Sequence, residues 1–346
     1  MKQWTEAVRS GRPLEAGDVT AVTDALLAAE SSDEDKADFL EALHARGESP
    51  AEIIAFAEAF LRHAEPFEAP PDLGPLLDVC GTGGDKLGLF NISTAVMFVA
   101  AGAGAKLAKH GNRGITSRSG GADVLEALGV PVDLPLERLH GMLEEAGAAF
   151  LFAPRFHPAF KSVAPARKLL ASRGSASIFN MLGPLLNPAR PARQLTGVFS
   201  EDLITLYADV LPGLGREHAW IVHGKAGDQG VMDEISTLGP TTIAAVREGR
   251  TSHETLTAAD WNVAEGVLDD LRGGDAVENA VILEEILAGE RRGAARDIVS
   301  INAAAAIIVA GLCEDRAEAM ERVAESIDSG AARRVLAVMR RVAGVA

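Results

Sequence analysis

Cysteine is nearly absent from this chain: Cys80 and Cys313 are the only two in 346 residues. Two distant cysteines form no disulfide framework and no metal-ligand spacing, so a reducing compartment, the cytoplasm, is expected. Long apolar runs are missing as well. The runs at 95–101 and 303–312 are too short to span a bilayer, and the N-terminal Met-Lys-Gln-Trp-Thr-Glu has no signal-peptide core. Positive charge is scarce: Lys and Arg number 33 against 49 Asp and Glu, a formal net charge of −16. That argues against a nucleic-acid surface, which needs a basic stripe. Any anionic ligand must be held locally, by main-chain N–H groups, a few cations and a metal ion, because the global field repels it. Aromatics make up only 5% of the chain, so the helices are expected to pack closely on small residues.

What remains is a hydrophobic content of 47% and a charged content of 24%, ordinary for a globular protein of about two domains. Residues 1–66 read as helical, with apolar spacing at Val19, Val22, Leu26 and at Phe39, Leu40, Leu43. Ser49, Pro50 and Glu52 form a complete helix start. So small a segment cannot hide its apolar faces alone and must pack on the rest of the chain or on a second copy. The proline-rich 65–72 stretch marks a domain boundary. Beyond it, strand candidates at 76–80, 105–108, 149–152, 195–198, 219–222 and 242–246 alternate with helical stretches at 93–101, 120–128, 136–146, 201–213 and 275–288. The expected fold is α/β with an all-helical N-terminal domain: a mainly parallel central sheet flanked by helices. Residues 297–342 read as helical, broken at Gly311 and Gly330.

The stretch Asp78-Val-Cys-Gly81-Thr-Gly83-Gly84-Asp85, continuing to Asn91-Ile92-Ser93-Thr94, reads as strand, glycine loop and helix start. Three missing Cβ atoms allow positive φ and close approach of N–H groups to an anion, with Asn91, Ser93 and Thr94 as donors and cap. Lys86-Leu87 excludes a Walker loop, and Lys86 stands where a dinucleotide fingerprint needs its third glycine. The next unit runs Lys109-His110-Gly111-Asn112-Arg113-Gly114-Ile-Thr116-Ser117-Arg-Ser119-Gly120-Gly121. It gives Lys109 and Arg113 for phosphate oxygens and three hydroxyl donors, again at a strand's carboxyl end. His157 and Arg167 share a face only if the segment stays helical through Pro165; alone, Arg167 reads as a surface residue and His157 as a cap. Phe179-Asn180-Met-Leu-Gly183-Pro184 reads as a hinge between domains. Asp233-Glu234 could hold Mg²⁺ through hard oxygens.

Taken together, these motifs make the chain similar to the anthranilate phosphoribosyltransferase family of tryptophan biosynthesis, within the nucleoside phosphorylase-like phosphoribosyltransferases. The resemblance also covers Ala122-Asp-Val-Leu-Glu126 and Gly273-Gly-Asp-Ala-Val-Glu-Asn279. It implies transfer of phosphoribose from phosphoribosyl pyrophosphate to the anthranilate amine. It implies a helical domain, 1–70, joined by helices near 160–185, that dimerises, and an α/β domain, 71–346. The donor sugar would lie along Gly81, Gly84, Asp85, Asn91, Ile92, Ser93, Thr94, Lys109, His110, Gly111, Asn112, Arg113, Thr116, Ser117 and Gly121. Anthranilate would meet Gly81, His110, Asn112, His157 and Arg167, and Mg²⁺ would meet Ser93, Asp233 and Glu234. No covalent nucleophile or strong base is implied, and neither nucleic acid nor membrane is a partner. This chain departs from the common pattern at Leu89, Gly114 and Gly121 and in a longer segment after Arg167. A pyrimidine nucleoside phosphorylase and a non-enzymatic nucleic-acid-binding relative are the alternative readings of the same architecture.

Overall fold

A computed structural model describes residues 1–84, 86–114 and 118–344. Asp85, Thr116 and Ser117, three of the expected site residues, lie outside the described residues. The chain opens with four helices: α1 Lys2–Arg9, α2 Ala16–Leu27, α3 Asp33–Arg46 and α4 Pro50–Arg62. The α4 start is the capping box expected from Ser49 and Glu52. Glu52 does more than cap. Its buried carboxylate also accepts Leu14 N–H at 2.9 Å and the Arg46 guanidinium at 2.6 Å, tying three segments together.

An irregular stretch leads into β1 Leu77–Gly81, α5 Ile92–Gly102, β2 Leu107–Gly111, α6 Gly121–Ala127, α7 Leu136–Ala146 and β3 Ala148–Phe152. Short helices α8 Ala153–Phe156, α9 Ala164–Ser172 and α10 Phe179–Leu182 return the chain to the N-terminal helices. Then come β4 Arg193–Gly197, α11 Asp202–Gly213, β5 His218–Lys225, β6 Val231–Met232, β7 Thr241–Arg247 and β8 Arg250–Leu256. The chain closes with α12 Ala276–Leu287, α13 Ala294–Val309, α14 Arg316–Asp328 and α15 Ala331–Ala343.

The sheet order is β3-β2-β1-β4-β5-β7-β8, parallel as far as β5 and antiparallel from there, with β6 paired antiparallel to β5. The strand side-chain period of two divides the core. In β5, Trp220 and Val222 join α5, α7 and the C-terminal helices, while Ala219 and Ile221 face the other way. That second core contains α1 to α4 together with α9 to α11. The N-terminal apolar faces are therefore covered by this chain's own later helices. Phe60 of α4 stacks on Phe160 at 5.0 Å and meets Phe179 at 5.4 Å, all within this second core.

Two expectations need correction. The second strand begins at Leu107, not at residue 105, and runs on through Lys109 and His110, which are polar yet buried. Strand β8 was not expected: it is an exposed polar edge whose pairing with β7 alone defines it.

Candidate functional site

Because β1 and β2 are parallel neighbours, their glycine-bearing loops leave from the same edge of the sheet. The helix starts they lead to touch. A Cβ on Gly121, at the start of α6, would sit 3.3 Å from Thr94 Oγ1 near the start of α5. This is the carboxyl edge where α/β sheets bind ligands.

Glycines 83 and 84 take φ of +70° and +95°, as a phosphate-cradling turn requires. Gly81 does not, and its lack of a side chain has a different cause. A Cβ there would lie against Asp233 Oδ2, with Asp233 Cγ at 2.9 Å. A Cβ on Gly197, at the end of β4, would land on the Asp233 carbonyl, and one on Gly224 would crowd that of Glu234. The Asp233-Glu234 peptide is thus laid directly over the tips of β1, β4 and β5. Asp233 Oδ2 accepts Gly83 N–H at 2.7 Å, so this loop amide already has a partner. Burial raises the Asp233 pKa, and Gly83 N–H, Lys109 and His223 oppose that rise.

Asn91 occupies the N-cap position of α5 but makes no side-chain cap, contrary to expectation. Its Nδ2 donates to Ser119 O at 3.2 Å and its Oδ1 accepts from Asn279 at 2.9 Å. It therefore ties the second loop to the turn at 273–279. Ile92 and Thr94 are buried in the main core region, whereas Ser93 is half-buried and its Oγ accepts from Lys109 Nζ at 3.2 Å. Lys109 also donates to Val79 O, so the ammonium lies between β1 and the start of α5.

Arg113 is less available than the sequence suggested. It pairs with Glu126 and Asp123 and lies over the Phe152 ring at 5.4 Å. The Glu126 carboxylate raises its pKa further. Asp123 braces the loop by accepting Gly114 and Gly120 N–H at 2.8 and 2.9 Å. Asn112 is exposed and its Oδ1 accepts Arg113 N–H. Leu89, at one departure from the common pattern, bridges to Arg272 and packs on the core.

A file of rings leads away from this edge. His110 meets His157 at 5.2 Å, His157 meets Phe160 at 5.3 Å, and Phe160 meets Phe179 at 5.6 Å. The Arg167 guanidinium caps the file, 5.0 Å from the Phe179 centroid. Arg167 is exposed, and its segment breaks at Val163 between a short turn at Pro158–Ser162 and α9. His157 occupies the N-cap position of that turn, as expected, without a side-chain cap bond; its Nε2 meets Leu186 O at 2.8 Å. Burial lowers the His110 pKa to about 3 and the His157 pKa to about 4, so both rings are neutral at pH 7. Among the described residues, neither His110 Nε2 nor His157 Nδ1 has a hydrogen-bond partner.

Residues 73–333 match the model of the glycosyl transferase family a/b domain, and residues 2–64 match that of the family's helical bundle domain. The anthranilate phosphoribosyltransferase of Rubrobacter xylanophilus is 45% identical over 98% of both chains. The crystal structure of the Thermus thermophilus anthranilate phosphoribosyltransferase superposes with a TM-score of 0.89 at 38% identity, over 99% of each chain. The Saccharomyces cerevisiae enzyme in complex with phosphoribosyl pyrophosphate and Mg superposes with a TM-score of 0.87 at 29% identity, over 99% of this chain and 98% of that one. This chain belongs to the anthranilate phosphoribosyltransferase family.

In this member of the anthranilate phosphoribosyltransferase family, the motif reading missed a buried polar layer beneath the site. Asp78, Asn187 and Gln194 are each 0% exposed. Asp78 Oδ1 accepts His110 N–H at 3.2 Å and its Oδ2 accepts Asn187 Nδ2 at 2.8 Å. Gln194 bridges Pro184 O and buried Arg216. The available signal was Asp78 itself: a carboxylate inside an otherwise apolar strand is costly unless it is paired.

Proposed function

We propose that this chain transfers the 5-phosphoribosyl group of phosphoribosyl pyrophosphate to the amine of anthranilate, giving N-(5-phosphoribosyl)anthranilate and pyrophosphate in tryptophan biosynthesis. One observation carries the reading. The two glycine-bearing loops share an edge and touch at their helix starts, with buried Lys109 between them and the His110-to-Arg167 file leading away. An anionic sugar fits the first part and a flat aromatic acid the second.

In this reading the donor lies along Gly81, Gly84, Asp85, Asn91 to Thr94, Lys109 to Arg113, Thr116, Ser117 and Gly121. The positive-φ Gly84 amide and the Lys109 ammonium face its phosphates. Anthranilate meets Gly81, His110, Asn112, His157 and Arg167, whose planar fork suits a carboxylate. The neutral imidazoles bring no competing charge.

The donor set also suits Mg²⁺, a hard cation that prefers oxygen. Ser93 Oγ and the carboxylates of Asp233 and Glu234 are the candidates. The half-buried Asp233 carboxylate gains from a neighbouring cation, because burial disfavours its charge. Among the described residues no three acidic, histidine or cysteine side chains form a ready metal cage. This agrees with an ion that keeps waters and takes further ligands from a phosphorylated substrate. When bound, Mg²⁺ would neutralise charge on the pyrophosphate.

The anthranilate amine is uncharged at pH 7, so its lone pair can attack the ribose C1 without prior deprotonation. The C1–O bond breaks with its electron pair going to pyrophosphate, and the amine then loses its proton. The chain contributes alignment of the two reactants and fixed donors around the leaving group, with no covalent nucleophile. Residues 1–70 with the helices near 160–185 form the helical unit, the α/β unit runs from 71 to 346, and the enzyme works as a cytoplasmic homodimer through the helical unit. Incubation with phosphoribosyl pyrophosphate, Mg²⁺ and anthranilate should give the fluorescence loss and product mass of the adduct. Turnover of thymidine with phosphate in place of that reaction would overturn the reading.

A further inference from the structure

Resting on that functional reading, we propose that Asp78 and Asn187 are positioning residues for the acceptor, setting the spacing of the His110 and His157 rings from below the sheet. The pair touches both rings' supports. Asp78 Oδ1 accepts the main-chain N–H of His110 itself. Asn187 follows Leu186, whose carbonyl meets His157 Nε2 at 2.8 Å. The 2.8 Å bond between Asn187 Nδ2 and Asp78 Oδ2 closes the circuit. Asn187 Nδ2 also donates to Ala108 O at 2.7 Å, and its Oδ1 accepts Ala189 N–H at 2.9 Å. Every polar atom of the Asn187 amide is therefore committed, and both residues are 0% exposed.

The pair also reaches the helical unit. Asn187 O accepts Arg190 N–H at 3.0 Å, and Arg190 forms a two-pronged pair with Glu58 of α4 at 2.8 Å on each arm. Strand β2, which carries Lys109 and His110, is thus registered against α4 through Asn187, which holds it both directly at Ala108 O and through Asp78. A purely structural role would need the bond alone. The placement, on the His110 main chain and one residue from the Leu186 carbonyl that anchors His157, is what assigns it to the acceptor side. The donor loops are held independently: Gly83 by Asp233, Gly114 and Gly120 by Asp123, and Asn91 by Asn279.

The test is steady-state kinetics of Asp78→Asn, which keeps the shape but sets a donor against the Asn187 donor. Wild type is run first with phosphoribosyl pyrophosphate, Mg²⁺ and anthranilate; its failure to turn over overturns the functional reading, not this pairing. With wild type active, Asp78→Asn should raise KM for anthranilate about tenfold or more, as an unmatched buried polar pair implies. KM for phosphoribosyl pyrophosphate should stay within about threefold of wild type. Asn187→Ser, smaller and still polar, should show the same split and serves if Asp78→Asn does not fold. Equal changes in both KM values, or a lowered melting temperature with both KM values unchanged, overturn the proposal. Failure of both variants to fold assigns the pair to stability and overturns it too.

Discussion

Replacing Gly81 by alanine gives the sharpest test of how the first loop is built. The new methyl group meets no backbone strain, because Gly81 is an extended strand residue absent from the positive-φ positions. Its whole effect is steric. The Cβ would sit against Asp233 Oδ2, with Asp233 Cγ at 2.9 Å, closer than real contacts allow. The carboxylate must swing aside and give up its 2.7 Å bond to Gly83 N–H. A hydrogen bond to a charged group contributes about 1.5–3 kcal/mol, which corresponds to roughly a 10- to 100-fold loss in any step needing that carboxylate in place. The assay is initial rate against Mg²⁺ concentration, with thermal melting alongside. Gly81→Ala should need several-fold more Mg²⁺ for half-maximal rate and should lower kcat, while the fold melts within a few degrees of wild type. Wild-type Mg²⁺ dependence and wild-type rate would refute the steric reasoning and the place given to Asp233. Gly197→Ala serves as a contrast, since it collides with main chain at Asp233, which cannot rotate away; it should cost stability as well.

Four further outcomes are expected. Arg167→Ala should raise KM for anthranilate about tenfold and leave that for phosphoribosyl pyrophosphate unchanged; an unchanged anthranilate KM removes Arg167 from the acceptor site. Glu234→Gln should lower turnover and raise the Mg²⁺ requirement, read from the same titration as Gly81→Ala. Burial would raise the Glu52 pKa, but Arg46 and the Leu14 and Ser49 N–H groups outweigh it and hold it low. Glu52→Gln should therefore destabilise at pH 7 by about 1.5–3 kcal/mol, with the difference fading as pH falls through the carboxylate range in urea melts. His110 and His157 fold with pKa values of about 3 and about 4. Below the ordinary histidine value of about 6.5 the unfolded chain binds the extra protons. Stability should therefore fall from about pH 6.5 towards 4, and His157→Gln should flatten that slope.

The parts of the fold legible in the sequence were those where local chemistry and burial agree. The α4 start was complete in Ser49, Pro50 and Glu52, and α7 ran 136–146 as its spacing implied. Gly311 and Gly330 separate the last three helices with φ of +70° and +74°. The reading failed where tertiary contacts override local pattern. Lys109 and His110 looked like loop because they are polar, yet they end a central strand whose neighbours satisfy them. Strand β8 carries an exposed polar sequence, so no apolar alternation announced it. Gly81 was assigned to conformational freedom when its reason is Asp233, far along the chain, which no local window contains. Arg113 carried the right charge for a phosphate, but its partners Asp123 and Glu126 lie on the following helix, where only the folded chain brings them round.

The glycine tips of β1, β4 and β5, roofed by one dipeptide, also limit how such a protein can diversify. Three of the strand ends nearest the proposed reaction centre admit no side chain, so neither drift nor a mutagenesis library can alter selectivity there without first rerouting 233–234. Room for new acceptors lies instead along α9 and α10, where Arg167 and Asn180 are exposed to solvent and a change disturbs only the Phe179 ring face and the Ser177 N–H bond.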